Sequence, residues 1–576
     1  MRFDKSKITS FFSSSFLLFF SSVFLLGATP ADLAIQNFSP QEYGAKKQNW
    51  SIVQDKRGLM YFANSAGVLE FDSVEWRLIP LPGGSGANAL ARDPNGRIHV
   101  GGEKEIGYLE VDEKGVMQYR SIFAKIPADY RGFAERAVQV GFIPGGSVFL
   151  FERLLVILEG EKVTVFTAED HFYSFIYAGS GLYIIDDIRG LLQYSGGDLT
   201  DVPGGNLLRA YVMLPLSGDK ILIVTTHDGP LVFAPQDKQK PYAPFFTGPV
   251  AQEGDFFTGN LITCGLILEN GWIVLGSVEK GIAVFDAQGN RVAHIGEAEG
   301  LQDMHVYSIY RDATGNLWAG LEQGISLLLA SLFIEAKTSL GAAKVGGETE
   351  SAPAFAALIR GCRKASEDTL IFGGANYIPL ERIQSLQQER EQEPDFEYAY
   401  NAFRFTFGSN YYRDIDKIMY SSYLEGLDKG WSEWMNRTSR EYTNLYWGKY
   451  TLRVKARNAA GEISREATYT FRVKPPWYET FWFLAAQIIF IIMVLAASRL
   501  MAGVGTAPGM SEKLVIFVVV IVFEYVNGFI GPLIGRYSNG IAFFGMLMTG
   551  VLSFIISPAQ EFITKMLNKI TRVKNR

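Results

Sequence analysis

The chain has 576 residues, of which 48% are hydrophobic and 14% aromatic, enough apolar side chains for several packed domains. Lysine plus arginine (54) nearly balances aspartate plus glutamate (60), for a formal net charge of −6. With no basic stripe ahead of the C-terminal tail, that balance excludes a nucleic-acid-binding surface.

At the N-terminus Arg2, Lys5 and Lys7 precede an uncharged run from Ile8 to Leu26 and the small residues Gly27 and Ala28. The pattern predicts a signal peptide over residues 1–31, cut near Ala28 or Ala31, with an uncleaved anchor as the alternative. A ladder of turn glycines follows: Gly58, Gly96, Gly146, Gly181, Gly218, Gly271 and Gly315. Their spacing averages about 43 residues, the period of a four-stranded propeller blade. The clearest copies read Asp55-Lys-Arg-Gly, Asp93-Pro-Asn-Gly, Glu269-Asn-Gly and Asp312-Ala-Thr-Gly, each between runs rich in β-branched and aromatic residues. In such a turn the acid accepts from the backbone and glycine takes positive φ, so Asp55, Asp93, Glu269 and Asp312 read as structural. Seven copies predict a seven-bladed β-propeller over residues 33–336, with Leu33–Phe38 and Ser331–Ala336 as candidates to close the ring. Trp272 and Trp318 are expected in the core between blades.

Two further stretches make the chain recognisable. Gly300-Leu-Gln-Asp with Val306-Tyr-Ser-Ile-Tyr-Arg-Asp-Ala-Thr-Gly-Asn-Leu-Trp, and Asn49-Trp-Ser-Ile-Val-Gln-Asp-Lys-Arg-Gly, resemble the two-component regulator propeller repeats of bacterial sensors. Tyr442-Thr-Asn-Leu-Tyr-Trp-Gly-Lys-Tyr-Thr-Leu-Arg-Val-Lys-Ala-Arg-Asn-Ala-Ala-Gly resembles the three-tyrosine (Y_Y_Y) domain that follows such propellers. The tyrosine before Leu-Glu-Gly is either Tyr420 or Tyr423. The resemblance implies a relay domain between a sensor and a membrane, and a family that usually continues into a kinase, cyclase or helix-turn-helix output.

Residues 337–352 turn to Ala, Gly, Lys, Ser and Thr and read as a linker. Alternating runs resume over 353–475, predicting an immunoglobulin-like sandwich of six or seven short strands. Gln384–Glu393 is expected as a short exposed helix or loop within it, and Tyr442, Tyr450, Trp431 and Trp434 as packing residues. Arg453, Lys455 and Arg457 alternate with apolar partners, so they mark a solvated face. Pro475-Pro-Trp-Tyr leads with little slack into an uncharged stretch, Phe481–Ser498, read as a transmembrane helix. Residues 514–535 and 540–556 are two more, and the basic tail 557–576 falls inside by the positive-inside rule. A single span plus a re-entrant hairpin is the alternative. Glu524, with Asn527 on the same face, is the costly residue of this region: a coupling contact or, more plainly, a protonated acid bonded within the bundle.

Cys264 and Cys362 are expected as buried thiols, and five scattered histidines make no metal pattern. No cofactor or catalytic motif is found. The residues just before each blade's first strand are polar in every blade: Gln48 and Asn49, Asn88, Arg136, His171, Arg209, Asn260, then Asp303 and His305. They are expected around the channel on one face, where two arginines would suit an anionic or polyhydroxylated ligand. Satisfied backbone at loop ends is the plainer reading.

The resulting expectation is a non-enzymatic receptor in a bacterial inner membrane, its propeller and sandwich periplasmic and its C-terminus cytoplasmic. Its ligand is a glycan by resemblance, or a peptide. About 20 residues follow the last span, with no phosphoacceptor histidine, so a separate signalling protein is expected to receive the signal; a homodimer is compatible with this plan. The alternatives are an envelope assembly protein and, weakest, an exported carbohydrate-active enzyme.

Overall fold

The structure, a computed structural model, describes residues 33–329 and 355–504 apart from 180, 207, 226–228, 247–255 and 400, together with 513–522, 558, 561, 562 and 565. The acid-x-x-Gly turns join the first strand of a blade to its second as their chemistry requires. Asp312 Oδ1 accepts from the amides of Thr314 (2.9 Å) and Asn316 (3.0 Å), while Oδ2 accepts from Trp318 Nε1 (3.0 Å). Gly315 completes that turn at φ 95°, a conformation that disfavours other residues.

Seven four-stranded antiparallel sheets follow one another, beginning at Asn49, Ala87, Ala137, Phe172, Ala210, Ile262 and Val306. The first strand of each sheet neighbours the first strand of the next, and Val306–Arg311 neighbours Asn49–Gln54, so the ring is closed and the first strands line its centre. The seventh sheet takes its outermost strand from the far N-terminal side: Ala34–Phe38 pairs antiparallel with Gly324–Leu329, in register Ala34↔Leu329 to Phe38↔Ile325. This pairing ties residues nearly 300 positions apart and covers the edge of Gly324–Leu329, giving the seventh blade its fourth strand. Phe38 is buried there against Phe71, Trp76 and Trp318. Trp318 is fully buried as expected, whereas Trp272 lies half-buried at the turn before its strand, Ile273–Ser277.

The sandwich has two four-stranded sheets. One holds Ala357–Lys364, Leu370–Phe372, Phe403–Ser409 and Ser439–Tyr442; the other holds Met419–Glu425, Gly448–Arg457, Ala467–Val473 and the short Asp395–Phe396. Phe403, Phe405, Phe471, Tyr469, Tyr450 and Tyr442 form its aromatic core. Tyr420 points inward, whereas Tyr423 stacks outward near Trp431 at 5.8 Å. Trp431 and Trp434 correct the expectation of buried packing. They lie on the outer face, where Lys455 Nζ sits 4.1 Å over the Trp431 ring and the Arg457 guanidinium 4.7 Å over Trp434, because the cationic residues of that strand face the same side. Gln384–Glu393 is largely the expected exposed loop with a short 3-10 helix, Arg390–Gln392, and departs from expectation only at its first two residues. Ile383–Ser385 is a strand paired with Asn376–Ile378, and Gln384 Nε2 reaches Met117 Sδ of the propeller at 3.1 Å.

The sandwich docks on blades 1 and 2 at the face where first strands end, opposite to where they begin. Tyr412 Oη donates to the carbonyls of Gly58 (2.8 Å) and Phe71 (3.2 Å), and Asn410 Nδ2 donates to Arg57 O (3.1 Å). Beside them lies a buried ion network. Arg360 pairs with Glu70 and, at 2.6 Å, with Asp72; Arg57 pairs with Asp55 at 2.8 Å; and Tyr61 Oη donates to Glu70 at 2.6 Å. All of these side chains are nearly excluded from solvent.

A second compact unit comprises residues 396–399, 446–448 and 473–576. Within it Glu479 accepts from Tyr446 Oη (3.1 Å) and Trp447 Nε1, and Lys474 pairs with Glu397 at 3.0 Å. Its helix Phe481–Val504 contains, over Phe481–Leu500, a stretch long and apolar enough to cross a membrane. The predicted signal peptide, the closing candidate Ser331–Ala336, the linker 337–352, Glu524, Asn527, the span 540–556 and nearly all of the tail lie outside the described residues.

Candidate ligand site at the channel mouth

In all seven innermost strands the pairing with the second strand skips one residue, and always the second of the strand. The skipped residues are Trp50, Asn88, Val138, Tyr173, Tyr211, Thr263 and Tyr307. A bulge leaves its residue outside the ladder and re-aims the side chain, and such bulges concentrate at functional rims. Here they produce a ring of seven side chains at the end of the channel where first strands begin, four of them aromatic.

Two pairs of neighbouring bulge residues are in aromatic contact. Trp50 and Tyr307 lie 4.1 Å apart by ring centroids, Tyr173 and Tyr211 4.6 Å apart, and His305 is 4.4 Å from Tyr307. The Arg136 guanidinium, from the third blade, reaches across to lie 5.2 Å over the Trp50 ring of the first. A hydrogen-bond chain fixes the Trp50–Tyr307 pair: Trp50 Nε1 donates to Ser65 Oγ (3.0 Å), Ser65 Oγ to Gln48 Oε1 (3.0 Å), Gln48 Nε2 to Glu322 (3.1 and 3.2 Å), and Tyr307 Oη to the same carboxylate. Burial first, then the Glu322 hydrogen bond, raises the Tyr307 phenol above its ordinary pKa; burial and Asp187 do the same for Tyr173. Both therefore remain protonated donors at neutral pH.

The residues singled out in the sequence separate into two groups. Asn49 is fully buried and spends its amide on Tyr43 Oη, Lys47 O and Gly324 O; Asn260 is buried and donates to Phe256 O at 2.8 Å. Both hold backbone. Gln48, Arg136, His171, Arg209 and His305 each immediately precede an innermost strand, Asp303 accepts from His305 N at 2.8 Å, and Asn88 is itself a bulge residue. Asn88 is buried, and its Oδ1 has no hydrogen-bond partner.

Sequence reasoning missed the carboxylates. Arg136 is held by Glu152 (Nε 2.9 Å), and Arg209 by Asp187 (3.2 Å), which also accepts from Tyr173 Oη at 2.6 Å. The cause is a backbone bond repeated in six blades. The amide of the residue after the second strand donates to the carbonyl of the residue before the first, in Ser65→Gln48, Glu103→Gly86, Glu152→Arg136, Asp187→His171, Val278→Leu261 and Glu322→His305. That bond places Glu103, Glu152, Asp187 and Glu322 beside the rim, and an acid directly after the second strand in these four blades was the signal available in the sequence. Arg136 and Arg209 are thus both paired with carboxylates, and among the described residues the ring presents aromatic faces beside these ion pairs.

Residues 300–323 match the two component regulator propeller model, and residues 412–474 match the Y_Y_Y domain model. The chain carries a two-component regulator propeller repeat and a Y_Y_Y domain. Among solved structures it is similar to the extracellular domain of BT4673 from B. thetaiotaomicron, described as a hybrid two component system (14% identity, 77% of this chain, 60% of that one, TM-score 0.41). It is also similar to the extracellular domain of BT3049 from the same organism, described in the same way (15%, 77%, 57%, 0.41), and to BamB from Moraxella catarrhalis (10%, 49%, 84%, 0.33). The chain thus spans about 60% of the length of the two extracellular domains. No curated protein is similar to it in sequence. The propeller repeat falls on the seventh blade and includes Asp303, His305, Tyr307 and Glu322 of the channel mouth; the Y_Y_Y segment includes Tyr412, which docks on Gly58.

Proposed function

We propose that the protein is a membrane-anchored extracytoplasmic receptor whose channel mouth binds a neutral ring ligand bearing several hydroxyl or amide groups. The bulge ring carries this reading: seven side chains displaced in one register toward one opening, with aromatic faces for stacking and polar pairs for orientation. Neutralisation of Arg136 and Arg209 argues against a simple anion. A glycan or a peptide loop meets the requirement. The Y_Y_Y sandwich, held to the opposite face by a buried ion network, relays occupancy toward the helix at Phe481, and a separate signalling protein receives it.

The test is thermal unfolding of the full chain in detergent across glycans, peptides and small anions. A ligand at a hundredfold excess over its Kd stabilises the folded state by about 2.7 kcal/mol. The stabilisation should vanish in Trp50→Ala and Tyr211→Ala. A hit unaffected by both variants moves the site elsewhere. Stabilisation by anions alone contradicts the ligand class.

A further inference from the structure

Among the seven bulge residues Asn88 alone is buried, at 5% exposure, whereas the other six are half-buried. The order of the blades supplies the cause. Asn88 belongs to the second blade, whose first strand Ala87–Arg92 neighbours both Asn49–Gln54 of the first blade and Ala137–Ile143 of the third. Arg136 stands just before the third blade's strand, and its guanidinium lies 5.2 Å over the Trp50 ring of the first. To reach that ring its side chain passes in front of the second blade, over Asn88. Its charge is felt at the aromatic residues on either side of Thr263 as well: burial raises the Tyr211 and Tyr307 phenols, and Arg136 offsets part of the rise in both.

What this arm covers is unfinished. The Asn88 carboxamide makes no hydrogen bond among the described residues, and its Oδ1 is shut off from water. Buried Asn49 and Asn260 instead spend their amides on neighbouring acceptors. An unpaired buried acceptor is costly, so Asn88 gains once the arm leaves it. The arm is held lightly. Arg136 Nε and Nη2 both donate to the one oxygen Oε1 of Glu152, in a pair whose side chains are 44% and 26% exposed. A partly exposed ion pair and an exposed cation–π contact together favour the covered arrangement by a factor of about ten.

We propose that Arg136 is a lid over a subsite formed by the Trp50 ring and the Asn88 carboxamide, and that it swings aside to admit a ring carrying an N–H or O–H donor for Asn88 Oδ1. The proposal rests on the channel mouth being the ligand site, and adds how that site is covered and which group the entering ring presents. The ligand takes the place of the guanidinium on Trp50. Its apparent affinity is therefore reduced by the fraction of chains in which the arm lies across the ring.

The test is fluorescence quenching of Trp50 in the full chain in detergent by acrylamide, a neutral carboxamide with N–H donors, beside N,N-dimethylacrylamide, which has none. It needs no other ligand, so it succeeds or fails independently of the thermal screen. Each quencher is referred to its action on free N-acetyltryptophanamide, and the Trp50 share is the difference from Trp50→Phe in the same background. Arg136→Ala, a change at a half-exposed side chain, should raise the Trp50 quenching constant at least about twofold, since it removes an arrangement favoured about tenfold. Glu152→Gln frees the arm of its carboxylate and should raise the constant in the same direction by less. Sodium chloride at 1 M, where the screening length is about 3 Å, should raise it in the wild type and not in Arg136→Ala. With the arm removed, acrylamide should quench about twofold better than the dimethyl compound, and Asn88→Leu should erase that preference without lowering the urea midpoint, since the group it removes is unpaired. Trp50 quenching that is the same in the wild type and Arg136→Ala would overturn the lid. Equal action of the two quenchers, or a preference that survives Asn88→Leu, would overturn the subsite.

Discussion

Replacing Arg360 by alanine should loosen the sandwich from blade 1. Arg360 is 4% exposed and supplies the guanidinium for two carboxylates that water barely reaches, Glu70 and Asp72. Removing one partner of a buried ion pair costs about 3–5 kcal/mol, because the remaining charge is left without compensation. Part of the support persists: Glu70 keeps Tyr61 Oη at 2.6 Å and Arg57 and Arg77 at 3.7 and 3.6 Å, while Asp72 keeps the amides of Val74 and Glu75. The loss should therefore fall near the lower bound, about 3 kcal/mol, or a factor of about 150 in the docking equilibrium. An independent signature lies in pH. Burial alone would raise the Glu70 carboxyl, but Arg360, then Arg57 and Arg77, outweigh it and bring it from an ordinary 4.5 to about 2. A depressed folded-state pKa contributes stability that is complete above the unfolded value and is lost as pH falls from 4.5 through about 2. That difference corresponds to about 3 kcal/mol. Urea unfolding of the full chain in detergent, followed by tryptophan fluorescence between pH 2 and pH 7, reads both quantities. Arg360→Ala should lower the midpoint at pH 7 and flatten the acid limb. A variant within about 0.5 kcal/mol of the wild type, or one with an unchanged acid limb, would refute the reasoning.

Other changes test the remaining structure. Tyr412→Phe removes the hydroxyl bonds to the carbonyls of Gly58, which keeps Gln54 Nε2 at 2.8 Å, and of Phe71, and should cost about 1 kcal/mol in the same unfolding assay. Gly58→Ala should cost about 2 kcal/mol, since φ is +90° and the added Cβ would lie 2.8 Å from Asn410 Cβ; proteolysis should then separate sandwich from propeller sooner. Phe38→Ala removes the anchor of the ring-closing strand and should cost about 3–5 kcal/mol, with hydrogen exchange accelerated over Gly324–Leu329. Cys362 is buried as expected but Cys264 is only half-buried, and desolvation pushes both thiols up, so a disulfide reagent at pH 8 should leave Cys362 unlabelled until the chain is denatured and label Cys264 slowly.

The propeller was legible because its signals are local. An acid and a glycine three residues apart set the turn in three blades (Asp55 and Gly58, Asp93 and Gly96, Asp312 and Gly315), and the seven turn glycines recur at blade length. The segment Leu33–Phe38, which holds the strand Ala34–Phe38, was readable as a closure candidate because a ring needs one. The channel mouth was half legible. Gln48, Arg136, His171, Arg209 and His305 stand out as polar residues before an apolar run, but the acids beside them, Glu152 16 residues after Arg136, Asp187 22 residues before Arg209 and Glu322 274 residues after Gln48, are brought to the rim by the repeated backbone bond. The bulges were written as Trp50-Ser, Tyr173-Ser and Tyr307-Ser, yet an aromatic at the second position of a strand reads as ordinary β propensity until the register is known. Docking was not legible at all. Glu70 and Arg360 are 290 positions apart, and nothing near either predicts the other. Trp431 and Trp434 misled because tryptophan is commonly buried, whereas here the cationic residues of an adjacent strand hold both rings at the surface.

The most direct measurement is hydrogen–deuterium exchange of the full chain in detergent with and without a ligand found in the thermal screen. The receptor reading predicts protection at the starts of the innermost strands, around Trp50, Tyr173, Tyr211 and Tyr307, together with altered exchange at Ala357–Lys364 and Phe403–Ser409 of the docked sandwich. Protection confined to the blades' outer strands, or at the channel mouth with no response in the sandwich, would contradict it.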